Sequence, residues 1–177
     1  STAAVATPVP FATVPSARQL ATDLHVLTAT AAAANGSTTR STTRVFKESV
    51  DQTVTLGPIL ATPTINIFAD YGYLSHRVQL ARQAEYDDIW TLVYGQTGRT
   101  VVVTLPSSQL GASPFDFAFP DLRSVAGWQN TWGPASGVST TYSFTVSGWS
   151  NGTGGFFLPY SEGVLIQSAT RTGSMPQ

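Results

Sequence analysis

Residues 99–120 contain two adjoining strand patterns of different kinds, and they constrain the fold more than any other stretch. Residues 99–106, RTVVVTLP, are rich in β-branched side chains and favour a strand that is covered on both faces. Residues 115–120 alternate instead, because Phe115, Phe117 and Phe119 share one face. The Ser-, Gly- and Pro-containing segment between the two patterns is long enough to cross from one sheet to another. The pair therefore predicts the middle of an antiparallel sandwich.

Further segments with strand patterns occur at regular spacing on either side of this pair. They are residues 45–56, 64–69, 75–84, 89–94, 125–132 and 140–149, with a short edge strand at 164–166. Together they make about eight strands, which predicts an all-β antiparallel sandwich or barrel. No internal repeat is present, and this excludes propellers and solenoids.

The chain divides by composition into three parts. We expect an extended N-terminal arm over residues 1–43, a β-domain over 44–160 and a solvated C-terminal tail over 161–177. Three prolines in the first fifteen residues favour an extended backbone that lies against another surface.

Two interpretations of the arm beyond its prolines stay open. Leu20, Leu24 and Leu27 have helical spacing after Ser16, which is a suitable helix cap. The threonines among them favour a strand or coil instead. Residues 31–43 are predicted to be a polar link.

The composition is unusually poor in charge. Charged residues make up 11% of the 177 residues, against roughly a quarter in globular proteins generally, and the net charge is −1. Because charge is depleted at the centres of protein interfaces, much of the surface is expected to face other protein. A neutral Ser/Thr-rich surface on a secreted β-protein explains the same composition. The chain has no cysteine for disulfides and no apolar run long enough to span a membrane.

No group of residues forms a recognisable catalytic site. Neither a nucleophile elbow nor a phosphate-binding glycine loop is present. His25 and His76 are far apart in sequence and lack partners at metal-ligand spacing, so we predict no metal and no cofactor. Glu85, Asp87 and Asp88 form an acidic cluster, for which a solvated turn is the ordinary explanation and a paired-carboxylate hydrolase site the rival one. We therefore predict that the protein is not an enzyme.

Two groups of residues are candidates for binding. Arg40, Arg44 and Lys47 are the sole basic cluster and the candidate RNA contacts, although three cations neutralise few phosphates. The tryptophans provide a candidate aromatic contact surface, whose members are Trp128, Trp132 and Trp149. Trp90 lies in a strand pattern and is expected in the core.

The ends of the sequence have a pattern of their own. Ser1 as the first residue and Gln177 as the last match the ends that the cysteine protease of picorna-like viruses leaves when it cuts a polyprotein. An expression vector would produce the same ends.

An ordered series of segments resembles the small coat protein of comoviruses. The matching segments are 73–83, 98–106, 115–117, 128–132, 141–146 and 154–160. The similarity covers roughly residues 60–160, whereas the Ala/Thr/Pro-rich arm has no counterpart. In size and in its terminal residues the chain is similar to the small coat proteins of cheraviruses, which belong to the same plant secovirid group.

The resemblance implies an eight-stranded antiparallel jelly-roll sandwich, to which the proline pattern adds an extended N-terminal arm. It implies a structural protein of a pseudo-T=3 icosahedral shell that encloses single-stranded RNA. The partners would be the other coat proteins of the same virion and, weakly, genomic RNA, with no membrane. The location would be the virion, and the host cytoplasm during assembly. A rival from another class is a secreted carbohydrate-binding or adhesin β-sandwich that uses its exposed tryptophans.

Overall fold

The computed structural model describes residues 8–150 and 160–175, and this part of the chain is almost entirely β-structure. Its nine strands are β1 His25–Ala32, β2 Thr38–Phe46, β3 Thr64–Phe68, β4 Ser75–Leu80, β5 Ile89–Gln96, β6 Arg99–Pro106, β7 Phe115–Ala118, β8 Thr141–Ser150 and β9 Leu165–Ser174. Four single-turn 3-10 helices accompany them, at Ser16–Arg18, Ala84–Tyr86, Ser107–Gln109 and Asn130–Trp132. In the described ranges no helix has the length and apolar character needed to cross a bilayer.

The strands form two antiparallel sheets. One has six strands in the order β1-β2-β9-β8-β5-β6, and the other has three in the order β3-β4-β7. The predicted all-β antiparallel architecture is confirmed, and so is the crossing from β6 in one sheet to β7 in the other. The structure has nine strands rather than the expected eight, and the division into sheets of six and three does not confirm jelly-roll topology.

The core lies between the three-stranded sheet and the β5–β8 part of the larger sheet. Trp90 on β5 is buried, as predicted, and its ring centroid lies 4.6 Å from that of Phe115 on β7. The indole Nε1 of Trp90 donates a hydrogen bond of 2.7 Å to the carbonyl of Tyr86. Aromatic rings from both sheets therefore fill the space between them.

The larger sheet is wider than the smaller one, and a loop covers the part that the smaller sheet leaves open. Residues 47–63 contain no strand and run beside the inner face of β2 and β9. Their backbone carbonyls accept hydrogen bonds from that face: Arg40 Nη1 donates to Gly57 O over 2.9 Å and Arg171 Nη2 to Leu60 O over 2.7 Å. The strand predicted over 45–56 is wrong, because these backbone groups bond to side chains rather than to a neighbouring strand.

The amino-terminal third contributes strands where the sequence left a helix and a strand or coil open and predicted a polar link after them. β1 and β2 pair antiparallel from His25↔Phe46 to Ala32↔Thr39, joined through Asn35 and Gly36. Gly36 has a φ of 69°, and Asn-Gly favours this kind of turn. The helix from Ser16 beyond one 3-10 turn and the polar link over 31–43 are therefore wrong, because the pairing of β1 with β2 overrides local helical spacing. The alternative of strand or coil is confirmed, since residues 19–24 are coil or turn and residues 25–32 form β1.

The carboxy-terminal part also enters the sheet. β9 extends through Ser174 and pairs with both β2 and β8. The strand predicted at 164–166 is therefore present but longer than predicted and not at an edge, and the solvated tail predicted after it is wrong. Residues 125–132 form turns rather than a strand. The Gly-rich break at 151–155 and most of the apolar segment 156–160 lie outside the described residues. The division at residues 43 and 160 stays a prediction.

β6 is an edge strand and not a strand covered on both faces. Its side chains alternate in exposure, and Val102 on the outer face is 58% exposed. A continuous apolar run thus gave the strand correctly but not its position in the sheet. The run fits an edge because valine and threonine suit a half-buried pleated surface as well as a buried one.

Gly148 on β8 lies against backbone from the Ala84–Tyr86 turn. A Cβ at this position would lie 2.4 Å from the carbonyl oxygen of Glu85, which cannot move without shifting the chain. We expect Gly148→Ala to lower the free energy of unfolding by about 1–3 kcal/mol in urea denaturation. Gly95→Ala is the matched control, because its Cβ would meet Thr141 Oγ1 at an ordinary 3.4 Å. Equal losses of unfolding free energy for Gly148→Ala and Gly95→Ala would contradict the close approach of Gly148 to the Glu85 carbonyl.

His76 on β4 is buried in the core without a polar partner. Its ring centroid lies 3.7 Å from that of Tyr94, and neither of its nitrogens makes a hydrogen bond within the described chain. Burial lowers the pKa of His76 from 6.5 to about 4. The Tyr94 hydroxyl is also buried without a partner, and burial raises its pKa. Both groups therefore stay neutral at pH 7.

This burial makes stability depend on pH below neutrality. Between pH 6.5 and about 4 the unfolded chain binds a proton at His76 that the folded chain does not. We expect the free energy of unfolding to fall by up to about 3 kcal/mol as pH drops through that window. Urea denaturation at several pH values should show a smaller fall in the free energy of unfolding for His76→Phe than for the wild type. His25→Gln is the control for removing a histidine from the chain. An equal fall in the free energy of unfolding for the wild type and His76→Phe would contradict the assignment of this pH dependence to His76.

Candidate functional site

The outer face of the six-stranded sheet is broad and uncharged. Strand registers place on it the even-numbered residues of β1, β6 and β9 and the odd-numbered residues of β2, β5 and β8. Most of these residues are threonine or serine, and none is charged. We call this surface the hydroxyl face. Val45 and Ser147 are its buried members, and the others are half-buried or exposed.

Hydroxyl groups line up across the strands of this face. One row runs over five strands as Thr39, Thr170, Thr145, Thr91 and Thr104. In this row the Oγ1 atoms of Thr145 and Thr170 lie 3.0 Å apart and share a hydrogen bond. Elsewhere on the face Thr28 bonds to Thr43 over 2.9 Å and Ser147 to Ser168 over 2.8 Å, so several hydroxyls satisfy one another across neighbouring strands.

The charges of this sheet are on the opposite face. Arg40, Arg44 and Arg171 point inward from β2 and β9 and bind carbonyl oxygens of residues 53–60. An antiparallel sheet with one solvated face ordinarily places its charged side chains on that face. In this sheet the arginines lie on the inner side and the outer face is uncharged, and low charge is one feature of the centres of protein interfaces.

The three basic residues proposed for RNA contact fix the chain around β2. Arg40 and Arg44 hold the covering loop, and Lys47 Nζ donates to the carbonyl of Ala21 over 2.7 Å. Their bonded partners are neutral carbonyls, and within residues 8–150 and 160–175 no carboxylate forms an ion pair with them. The RNA contact at these residues stays a prediction.

Aromatic side chains cluster where the turn after β3 meets the segment before β8. Trp128 lies edge-on to Tyr73 at 5.5 Å and to Trp132 at 5.9 Å between ring centroids. The guanidinium carbon of Arg123 lies 4.9 Å from the ring centroid of Tyr71. We call these five residues the aromatic cluster. Trp132 is 56% exposed, so its indole is available to a partner.

Buried contacts hold the aromatic cluster in place. The Tyr73 hydroxyl donates to the Pro120 carbonyl over 3.1 Å and accepts from the Leu122 N–H over 2.9 Å. Gly133 packs on the Tyr73 ring, where a Cβ would come within 2.8 Å. The exposed Trp132 thus stands on a rigid base, as aromatic anchors at binding surfaces do.

The tryptophans predicted to form one aromatic surface therefore lie in two separate places. Trp128 and Trp132 meet in the aromatic cluster, whereas Trp149 lies on the hydroxyl face and pairs with Ile166 across β9. Sequence reasoning missed Tyr71, Tyr73 and Arg123 as neighbours, and no local signal links them to the tryptophans. It also missed the hydroxyl face, although the Thr-x-Ser-x-Thr alternation over 141–145 was a usable signal.

The acidic residues are engaged in structural contacts. Asp87 accepts a 2.8 Å hydrogen bond from Arg82 Nε, and Asp88 accepts the Trp149 N–H over 2.7 Å. Asp116 is held by Arg77 and Gln79, and these hydrogen bonds lower its pKa to about 2. Asp116 is thus a hydrogen-bonded surface residue on β7. Within residues 8–150 and 160–175, no group of three His, Asp or Glu is placed to hold a metal ion.

No family model, curated protein or solved structure matches this chain. The interpretation of its surfaces therefore rests on their geometry and on the sequence.

Proposed function

We propose that the chain is a capsid structural protein, one of several jelly-roll subunits of a pseudo-T=3 icosahedral shell around single-stranded RNA. The observation that carries the proposal is the uncharged hydroxyl face above a sheet whose arginines point inward. A subunit that packs closely against neighbours needs surface that loses little on desolvation, and hydroxyl-bearing threonine meets this need better than charged residues. The segment resemblance to comovirus small coat proteins supports the same function.

The strand pairing supports a jelly-roll origin for the sandwich. A jelly roll is a long antiparallel hairpin wrapped into two sheets, so its strand pairs are nested along the chain. β5 pairs with β6, β4 with β7 and β2 with β9, which are three such nested pairs. The fourth pair, β3 with β8, is split between the sheets, and β1 is an added strand.

The remaining features of the proposal follow from this function. The partners are the other coat proteins of the virion, and the protein works in the virion after assembly in the host cytoplasm. Genomic RNA is a weak partner, because Arg40, Arg44 and Lys47 are the candidate contacts and the net charge is −1. The extended segment at residues 8–15 has exposed apolar side chains, among them Val9 at 76%, that a neighbouring subunit would cover.

Charge placed on the hydroxyl face should block assembly and leave the fold intact. Thr104→Glu with Thr172→Glu alters two exposed positions on β6 and β9. On co-expression with the companion coat proteins, we expect particle yield to fall at least about tenfold, since an unpaired buried carboxylate costs several kcal/mol. Electron microscopy and sedimentation count particles, and circular dichroism checks the sheets.

Thr97→Glu is the matched control for added charge, because Thr97 is exposed in the β5–β6 turn away from the face. Particles at wild-type yield from the double variant would remove the hydroxyl face as a contact. A native source that contains this chain as a lone monomer, with no icosahedral particles, would overturn the capsid proposal itself.

The aromatic cluster favours a second candidate function, which is carbohydrate binding. An exposed indole on a rigid base offers a stacking surface for a sugar ring. Arg123, which lies over the Tyr71 ring of the same cluster and is paired with Asp121 over 2.7 Å, offers polar groups. If this function holds, the isolated chain binds on a glycan array and Trp132→Ala lowers the affinity at least about tenfold. Val102→Ala, at an exposed apolar residue on β6, is the control. No binding to any glycan on the array would exclude carbohydrate binding as the function.

A further inference from the structure

β1 is an edge strand without the features that ordinarily protect an edge. Its eight residues, HVLTATAA, include no proline and no Lys, Arg, Asp or Glu. One side pairs with β2, and in the described chain no strand pairs with the other side. The outward residues Val26, Thr28, Thr30 and Ala32 are all exposed. Such an edge carries a row of unpaired backbone groups and readily accepts another strand.

The other three edges are shorter or carry protective residues. β7 has four residues between Pro114 and Pro120 and presents Asp116 outward. β3 has five residues and follows Pro63. β6 is as long as β1, but it begins at Arg99 and ends at Pro106, which has no N–H to donate. Of these edges β1 is the one left open over its whole length.

We propose that β1 pairs antiparallel with β1 of a second copy of this chain, around a two-fold axis perpendicular to the sheet. A strand without Lys, Arg, Asp or Glu is compatible with a second copy of itself, because no such charges meet in any register. The extended segment at residues 8–15 is a poorer occupant, because Pro8, Pro10 and Pro15 interrupt its donors. The pairing joins two six-stranded sheets into one and continues the hydroxyl face across the axis.

The proposal does not depend on the capsid function. Two edge strands alone bury less surface than a standard stable interface, so the isolated chain should dimerise reversibly. Analytical ultracentrifugation of the full chain over a range of concentrations should show this equilibrium.

The absence of cysteine makes a crosslinking test unambiguous. Single cysteines are introduced as Val26→Cys, Thr28→Cys, Thr30→Cys and Ala32→Cys, and the variants are oxidised alone and in mixed pairs. Opposite residues of antiparallel strands lie about 4.5–5.5 Å apart at Cα, within the disulfide range. In two identical antiparallel strands, one step forward on one strand faces one step back on the other. The two residue numbers of every crosslinking pair must therefore add up to the same value, as in residue 28 with residue 28 and residue 26 with residue 30.

The expected result is rapid disulfide formation for one such set. The effective thiol concentration within a pair is millimolar, so at about 10 µM protein the rate should exceed that of Thr97→Cys by about a hundredfold. Thr100→Cys and Val102→Cys test the β6 edge in the same way. Crosslinks no faster than Thr97→Cys, or faster at β6 than at β1, would overturn the proposal. Particles formed with the companion coat proteins but without β1 crosslinks would refute the edge pairing alone. Crosslinks at β1 together with a failure to form particles on co-expression with the companion coat proteins would refute the capsid function alone.

Discussion

The contact between Trp90 and Phe115 joins the two sheets, and the rest of the sandwich depends on it. The indole also donates to the Tyr86 carbonyl, and the Tyr86 hydroxyl in turn donates to Pro58 O over 2.6 Å. One buried ring thus links the smaller sheet, the turn before β5 and the covering loop. The three-stranded sheet and the covering loop therefore both contact the six-stranded sheet around Trp90, and together they cover a sheet with twice as many strands as the smaller one.

The two halves of the large sheet are covered by different chemistry. Beneath β5 and β8 the cover is apolar and close-packed. Beneath β2 it is a loop whose carbonyls bind arginines, and Thr42 joins them by donating to Thr55 O over 3.0 Å. Because the guanidinium groups satisfy backbone oxygens that would otherwise be buried without partners, the loop needs no strand of its own. The same use of arginine removes charge from the exterior and leaves the hydroxyl face neutral.

Much of the fold was predictable where side chains alternate with a period of two. The strands at 64–68, 89–96, 115–118 and 141–150 and the buried Trp90 followed from strand patterns, and the length of the segment after β6 predicted the sheet crossing. The hairpin of β1 and β2 and the length of β9 did not, because Thr-, Ala- and Ser-rich strands show little contrast between their faces. Their strand character comes from pairing between distant segments, which no local pattern records.

The candidate surfaces were predictable only in part, for a related reason. Two tryptophans four residues apart indicated an aromatic surface, but Tyr71 and Arg123 reach it through tertiary structure. The hydroxyl face is assembled from six strands, each with a few threonines or serines of no local distinction. Local patterns identify groups on one element, whereas a surface built from several strands requires the registers.

The position of β9 has a consequence for how the chain reaches its folded form. β9 follows the other eight strands in the sequence yet lies between β2 and β8, with Thr38 opposite Arg171. Until β9 leaves the ribosome, the β1–β2 hairpin cannot join the sheet that holds β5, β6 and β8. Contacts this distant in sequence slow folding, and the nascent chain carries two open strand edges in the meantime. Synthesis speed and chaperone supply would thus govern how much of this protein escapes aggregation.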